Sequence, residues 1–181
     1  KIKYISFQRQ NFGPIRNDVS SFLDLATHDL SILRYLFNKK ILPKKIIKHD
    51  ILRKNSGDIV FANFACGSAH IDINVSWLNP EKIRKLTIIT DKKMILYDEI
   101  DLEKPIKIFD NYASYPKISK YSKSYFSNKA FIYKGKSRFI KLKDKMPLNN
   151  EILSFIKNDK NLTDIIFAEG IIKITKKLEN I

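Results

Sequence analysis

The sequence predicts an α+β domain, an open and mostly antiparallel β-sheet with helices packed on one face. Three observations lead there. Strand-length apolar runs crowd the middle of the chain, helical periodicity occurs near both ends, and the breaks between the runs are too short for crossover helices. A length of 181 residues suits one well-buried core, so residues 1–181 are expected to form a single domain.

Taken in order, Lys1 to Gln10 alternates Ile2, Tyr4 and Ser6 against Lys3, Ile5 and Phe7, the period of a strand, and Gly13-Pro14 ends it. Asp18 to Ser21 offers helix caps. Phe22, Leu25, Ala26, Leu30, Leu33, Leu36 and Phe37 then recur at helical spacing as far as Asn38. Strand-like runs follow at Lys45 to Leu52, Ile59 to Cys66, Ala69 to Trp77, Ile83 to Thr90 and Met94 to Tyr97. Asn55-Ser-Gly57, Gly67-Ser68, Asn79-Pro80 and Asp91-Lys-Lys93 separate them, as in an antiparallel meander. Tyr112 to Lys129 has no period and reads as a long surface loop. Phe131 to Tyr133 and Arg138 to Leu142 read as a hairpin around Gly135. A helix is expected from Asn149 to Lys157, with Ile152, Phe155 and Ile156 inward. A second, capped by Thr163, runs through Phe167, Ile171, Ile174 and Leu178.

Composition narrows the function classes. No apolar run reaches the roughly 18 residues of a membrane span. Cys66 is the only cysteine, which excludes an internal disulfide and a Cys-based metal site and fits a reducing, cytoplasmic setting; in its strand-like run it reads as an inert packed residue. The net charge of +15 invites a nucleic-acid reading. However, 28 of the 34 basic residues are Lys, spread along the chain, and Arg, which suits bidentate phosphate contacts, is scarce. A basic polyanion-binding or nucleic-acid module is therefore an alternative, not the main reading.

The five glycines form no Gly-x-Gly pair, so a dinucleotide-binding turn is absent from the sequence, as are Gly-x-Ser-x-Gly, Walker and His-Glu-x-x-His motifs. The strongest chemical signal is Asp24 and His28, four apart on a helix and able to converge. The carboxylate is expected to raise the His28 pKa and to suit the pair to moving a hydroxyl proton. The same spacing also fits a dipole-stabilised Asp and a His packed under a loop. His49 and His70 have no ligand-spaced partner, and no metal site is expected. Trp77 reads as a sheet residue at a packing or subunit surface. Tyr112, Tyr115, Tyr121 and Tyr125 with Lys117, Lys120 and Lys123 could bind a stacked or anionic ligand, but such a stretch is more often a loop or subunit contact.

Asn17-Asp18, Asp24-Leu-Ala-Thr-His28-Asp29, Ser76-Trp77-Leu-Asn-Pro80-Glu-Lys-Ile-Arg84, Tyr97-Asp98 and Pro147-Leu-Asn-Asn-Glu151 occur in this order. That series resembles the C-terminal domain of the Gfo/Idh/MocA oxidoreductases, most closely those acting on nucleotide-linked or related sugars. The resemblance implies an N-terminal Rossmann domain, absent from this chain, that holds NAD or NADP. The chain itself would bind no cofactor, and alone it is expected to be inactive. It implies a sugar or nucleotide-sugar substrate, with His28 exchanging the proton of the reacting alcohol and Asp24 orienting it. Arg16 and Asn17, just before the helix, could hydrogen-bond a sugar or phosphate, while Asp29 is expected to partner backbone or a nearby Lys. The family's Glu-Lys-Pro lysine belongs to the other domain. Glu103-Lys104-Pro105 repeats those letters in the sheet region and is read as coincidence. An open sheet face predicts homo-oligomers, and the chain, which opens without Met, is expected to be a piece of something longer. A noncatalytic structural domain of the same fold is the remaining alternative.

Overall fold

The computed structural model describes residues 1–37, 40–115, 130–142, 147–157 and 165–179. Among the described residues are ten strands: β1 (Ile2–Phe12), β2 (Ile41–His49), β3 (Ile59–Cys66), β4 (Ala69–Ser76), β5 (Leu78–Thr90), β6 (Met94–Asp98), β7 (Ile106–Phe109), β8 (Tyr112–Ser114), β9 (Phe131–Tyr133) and β10 (Ser137–Ile140). The helices are α1 (Thr27–Leu36), α2 (Pro147–Ile156) and α3 (Ile165–Glu179), and a π-helical turn, Phe22–Ala26, leads into α1.

Eight strands form one sheet in the order β10-β7-β6-β5-β1-β4-β3-β2, and β8 pairs separately with β9. The meander is interrupted. β1 lies between β4, to which it is parallel, and β5, to which it is antiparallel, so the hairpins β2–β3–β4 and β5–β6–β7 stand on either side of it. Its alternation explains the central position. Ile5 and Phe7 are fully buried on the helix-covered side, whereas Tyr4, Ser6 and Gln8 face the opposite side.

Three boundaries differ from the sequence reading. β2 starts before Pro43 and ends at His49, because Pro43 sits at a break in register with β3 and residues 50–58 form a hydrogen-bonded turn. Asn79-Pro80 does not divide strands: both residues lie inside β5, where its ladder with β1 is irregular and a missing N–H costs little. The expected hairpin around Gly135 is also corrected. β9 pairs with β8 and β10 with the unforeseen β7, since Ile106–Phe109 adds a strand to the sheet edge. Of the expected loop, Tyr112 to Ser114 is strand, and residues 116–129, with Lys117, Lys120, Tyr121, Lys123 and Tyr125, lie outside the described residues, as do Asn38 and Thr163.

The core forms where α1 and α3 cover one sheet face. Leu30 and Leu33 of α1 and Ile171 and Leu178 of α3 pack with Ile5, Phe7, Phe64, Ile71 and Ile73, and Cys66 is buried as expected. Gly170 permits the approach of α1 to α3: a Cβ there would stand 1.5 Å from Arg34 Nη1. Arg34 uses that nitrogen to donate to the Phe167 carbonyl at 3.0 Å and lies over the Phe167 ring. α2 departs from expectation. Ile152, Phe155 and Ile156 are largely exposed, because no described element covers their side of the helix.

Candidate functional site

The helix start is fixed by the turn that follows β2. Gly57, at φ +55°, offers its carbonyl to both the N–H of Ser21, at 3.1 Å, and its Oγ, at 2.6 Å. Ser20 Oγ accepts from the N–H of Leu23 at 3.3 Å, which places the expected cap on Ser20. Beneath them Asp58 is buried. Burial would raise its pKa, but donation from Ile51 N–H, Leu52 N–H and the Ser56 hydroxyl holds the carboxyl below its ordinary value.

Asp24 sits in the π turn, a widened turn of the kind that often marks functional sites. Its Oδ2 accepts from Trp77 Nε1 at 3.0 Å, and its Oδ1 lies 3.4 Å from Arg16 Nη1. Trp77 is therefore no subunit-surface residue. It falls between β4 and β5 with its ring fully buried, and a buried indole N–H needs an acceptor, which Asp24 supplies. Asp24 also lines a pocket of about 470 Å³ together with Phe12, Pro14, Pro80, Lys82 and Arg84.

His28 follows one turn later, in the first turn of α1, with an exposed side chain. The expectation that Asp24 raises its pKa is corrected. Desolvation chiefly, and then Arg9, hold the imidazole below its ordinary value; Arg84 adds to this, and Glu99 and Asp24 oppose it more weakly. His28 is therefore neutral near pH 7 and can accept a proton.

Asp29 finds neither backbone nor lysine as partner, contrary to expectation. It is buried with Oδ1 2.9 Å from Arg9 Nε, while Oδ2 has no partner, and burial pushes its carboxyl up to about 6 against the pull of Arg9. Arg9 also reaches Glu99 at 3.2 Å. Sequence reasoning missed this group. The available signal was a charged residue at the inward position that continues Ile5 and Phe7.

The two weaker candidates are placed apart. Arg16 is paired with Asp18, at 2.5 Å, and with Asp24, at 3.4 Å. Asn17 Oδ1 accepts from Arg53 Nη1 at 2.8 Å and lines a different cavity of about 330 Å³ with Ser20, Lys48 and Gly57. Glu103-Lys104-Pro105 lies in the turn between β6 and β7, where Asp101 Oδ1 accepts the N–H groups of Glu103 and Lys104. Lys104 projects over Phe139. No group of His, Cys, Asp and Glu among the described residues is arranged to hold a metal ion.

This sheet, with β1 between two meanders, is a fold shared with parts of solved dehydrogenases and oxidoreductases. The UDP-N-acetylglucosamine 3-dehydrogenase GnnA from Acidithiobacillus ferrooxidans matches 99% of this chain with 52% of its own, at 15% identity and a TM-score of 0.70. The dehydrogenase MviM from Clostridium difficile matches with 99% and 55% coverage, 12% identity and a TM-score of 0.68, and an NAD-binding protein from Listeria innocua with 99% and 56%, 13% and 0.67. The chain thus spans about half the length of these structures. No protein-family model and no curated protein matches the sequence.

Proposed function

We propose that this chain is the substrate-binding part of an NAD(P)-dependent oxidoreductase that transfers a hydride to or from the hydroxyl-bearing carbon of a sugar or nucleotide sugar. The observation that carries the reading is the placement of Asp24 and His28 one turn apart at a helix start, with Asp24 on the wall of the 470 Å³ pocket. The fold shared with GnnA and MviM supports it.

The chain's own residues fit the proton-handling half of such a reaction. β1 enters the helix through Asn11 to Ser21 without the glycine-rich turn that cradles a dinucleotide, so a separate domain would hold the cofactor. The nicotinamide, when bound, supplies or accepts the hydride. In alcohol oxidation, neutral His28 takes the proton from the substrate hydroxyl oxygen as the carbon-bound hydrogen leaves with its electron pair; reduction reverses both transfers. Asp24, fixed by Trp77, orients that hydroxyl or its neighbour, and Arg16 contacts the substrate from the open side of Asp24. Asn17, in its separate cavity, would meet only a remote part of a long substrate.

The sheet face opposite the helices has no described cover and carries Ile47, Phe61 and Phe139. It is proposed to pair with a second copy. The reaction is tested by measuring hydride transfer, in the protein at its native length, for His28→Ala and Asp24→Asn. The expected result is a fall in kcat of about 10²-fold or more for His28→Ala. Unchanged rates in both variants would remove the proposal.

A further inference from the structure

Arg9 and Arg84 are opposite each other in the β1–β5 ladder, on the side facing the helix start. Their surroundings differ. Arg9 has two carboxylates, Asp29 at 2.9 Å and Glu99 at 3.2 Å. Arg84 takes part in no ion pair among the described residues. Its Nη1 donates to the carbonyls of Gln10, at 3.2 Å, and Ile83, at 3.0 Å, and its Nη2 to Asn11 Oδ1 at 2.9 Å, all neutral oxygens. The nearby carboxylates make their hydrogen bonds elsewhere: Glu99 and Asp29 with Arg9, and Asp24 with Trp77 and Arg16.

A half-buried guanidinium beside another guanidinium is unfavourable unless an anion accompanies it. Burial first, and then the charge of Arg9, hold the Arg84 pKa below its ordinary value, against the opposing charges of Glu99, Asp29 and Asp24. Those three hydrogen bonds leave two of the five N–H groups of Arg84 without a partner among the described residues. Arg84 lines the pocket that contains Asp24, and the exposed Lys82, two residues earlier on β5, lines it too. Its volume of about 470 Å³ is that of a small-molecule site, and its walls include Phe12, Pro14 and Pro80.

We propose that Arg84 and Lys82 form an oxyanion-binding end of this pocket, so that the molecule bound beside Asp24 carries a phosphoryl or carboxylate group. Its identity as the substrate rests on the function proposed above; the anion site rests on Arg84, with N–H groups unused among the described residues, and Lys82 lining one pocket. The apolar walls would receive the uncharged part of the ligand, while the two cations fix its orientation relative to Asp24.

The test titrates inorganic pyrophosphate, and in a parallel arm malonate, into the protein at its native length by calorimetry at physiological salt. Because a chain of net charge +15 attracts anions diffusely, Lys177→Met serves as control; Lys177 lines a separate cationic cavity with Arg34, Lys40 and Lys173. Arg84→Gln and Lys82→Met are each expected to weaken binding of at least one probe by about tenfold, as for loss of a charge-assisted hydrogen bond, and Lys177→Met to leave it unchanged. The preferred probe identifies the group. Lys82 is exposed, so its variant gives the answer if Arg84→Gln fails to fold. Equal binding by all variants, an equal loss in Lys177→Met, or no binding of either probe would overturn the site. Arg84-dependent binding in a protein that transfers no hydride to any sugar would leave the anion site standing and remove the proposed reaction instead.

Discussion

Trp77 Nε1 and Asp24 Oδ2 are 3.0 Å apart, joined across 53 residues of sequence, so the buried link between β4 and β5 holds the carboxylate at the start of the first helix. The ring is core and the N–H is site. Trp77→Phe keeps most of the packing and removes only the donor. A charge-assisted hydrogen bond contributes about 1.5–3 kcal/mol, so thermal or urea unfolding should show a loss in that range. Hydride transfer should fall through misplacement of Asp24, without a change in the affinity for pyrophosphate.

Asp29 predicts a pH dependence of stability. Its native pKa is raised from 3.8 to about 6, so between those values the folded chain binds more protons than the unfolded one. Stability from this group is present below pH 3.8 and is lost as pH rises through about 6, by about 3 kcal/mol in all. Urea titrations of the wild type and Asp29→Asn across this interval should therefore diverge, with the wild type losing stability relative to the variant. Parallel curves would show that Arg9 keeps the carboxylate ionised throughout.

His28 predicts the acid side of the rate profile. Since desolvation and Arg9 hold its pKa down, kcat/KM should fall only below the ordinary imidazole value of about 6.5. Glu99→Gln removes a charge that raises it and should move the midpoint to still lower pH. A midpoint above 6.5 would contradict the order of these influences.

Much of this arrangement was legible in the sequence, and the limits have physical causes. Alternation and helical spacing located β1, β3, β4 and the first helix because each buries one face against the same core. The parallel placement of β1 beside β4 left no local trace, since ladder partners are a long-range choice. Asp24 and His28 were visible as polar residues on an apolar helix. Arg9, Glu99 and Arg84 come from three separate segments, and only the register of β1 with β5 brings the two arginines opposite each other. The direction of the His28 shift failed because four residues of spacing revealed the nearby acid but neither the desolvation that chiefly sets it nor the charges of Arg9 and Arg84.

Gly57→Ala should loosen the site from a distance. The residue is at φ +55°, and an added Cβ would lie 3.1 Å from Ser20 Cβ. The left-handed conformation alone costs a side chain about 1–2 kcal/mol. Because the Gly57 carbonyl holds Ser21, the variant should lose at least that much stability and show faster amide exchange at Ser21 and Leu23. Unchanged exchange at both would mean that the helix start does not depend on this turn.

The position of β1 makes the first dozen residues the keystone between two halves that share no direct ladder. Neither half can be stitched to the other until residues 69–90 have been synthesised and have returned to flank that opening segment. A cleavage near Gly13 would free the segment that unites them, leaving a three-stranded and a four-stranded ribbon whose apolar flanks await a seam.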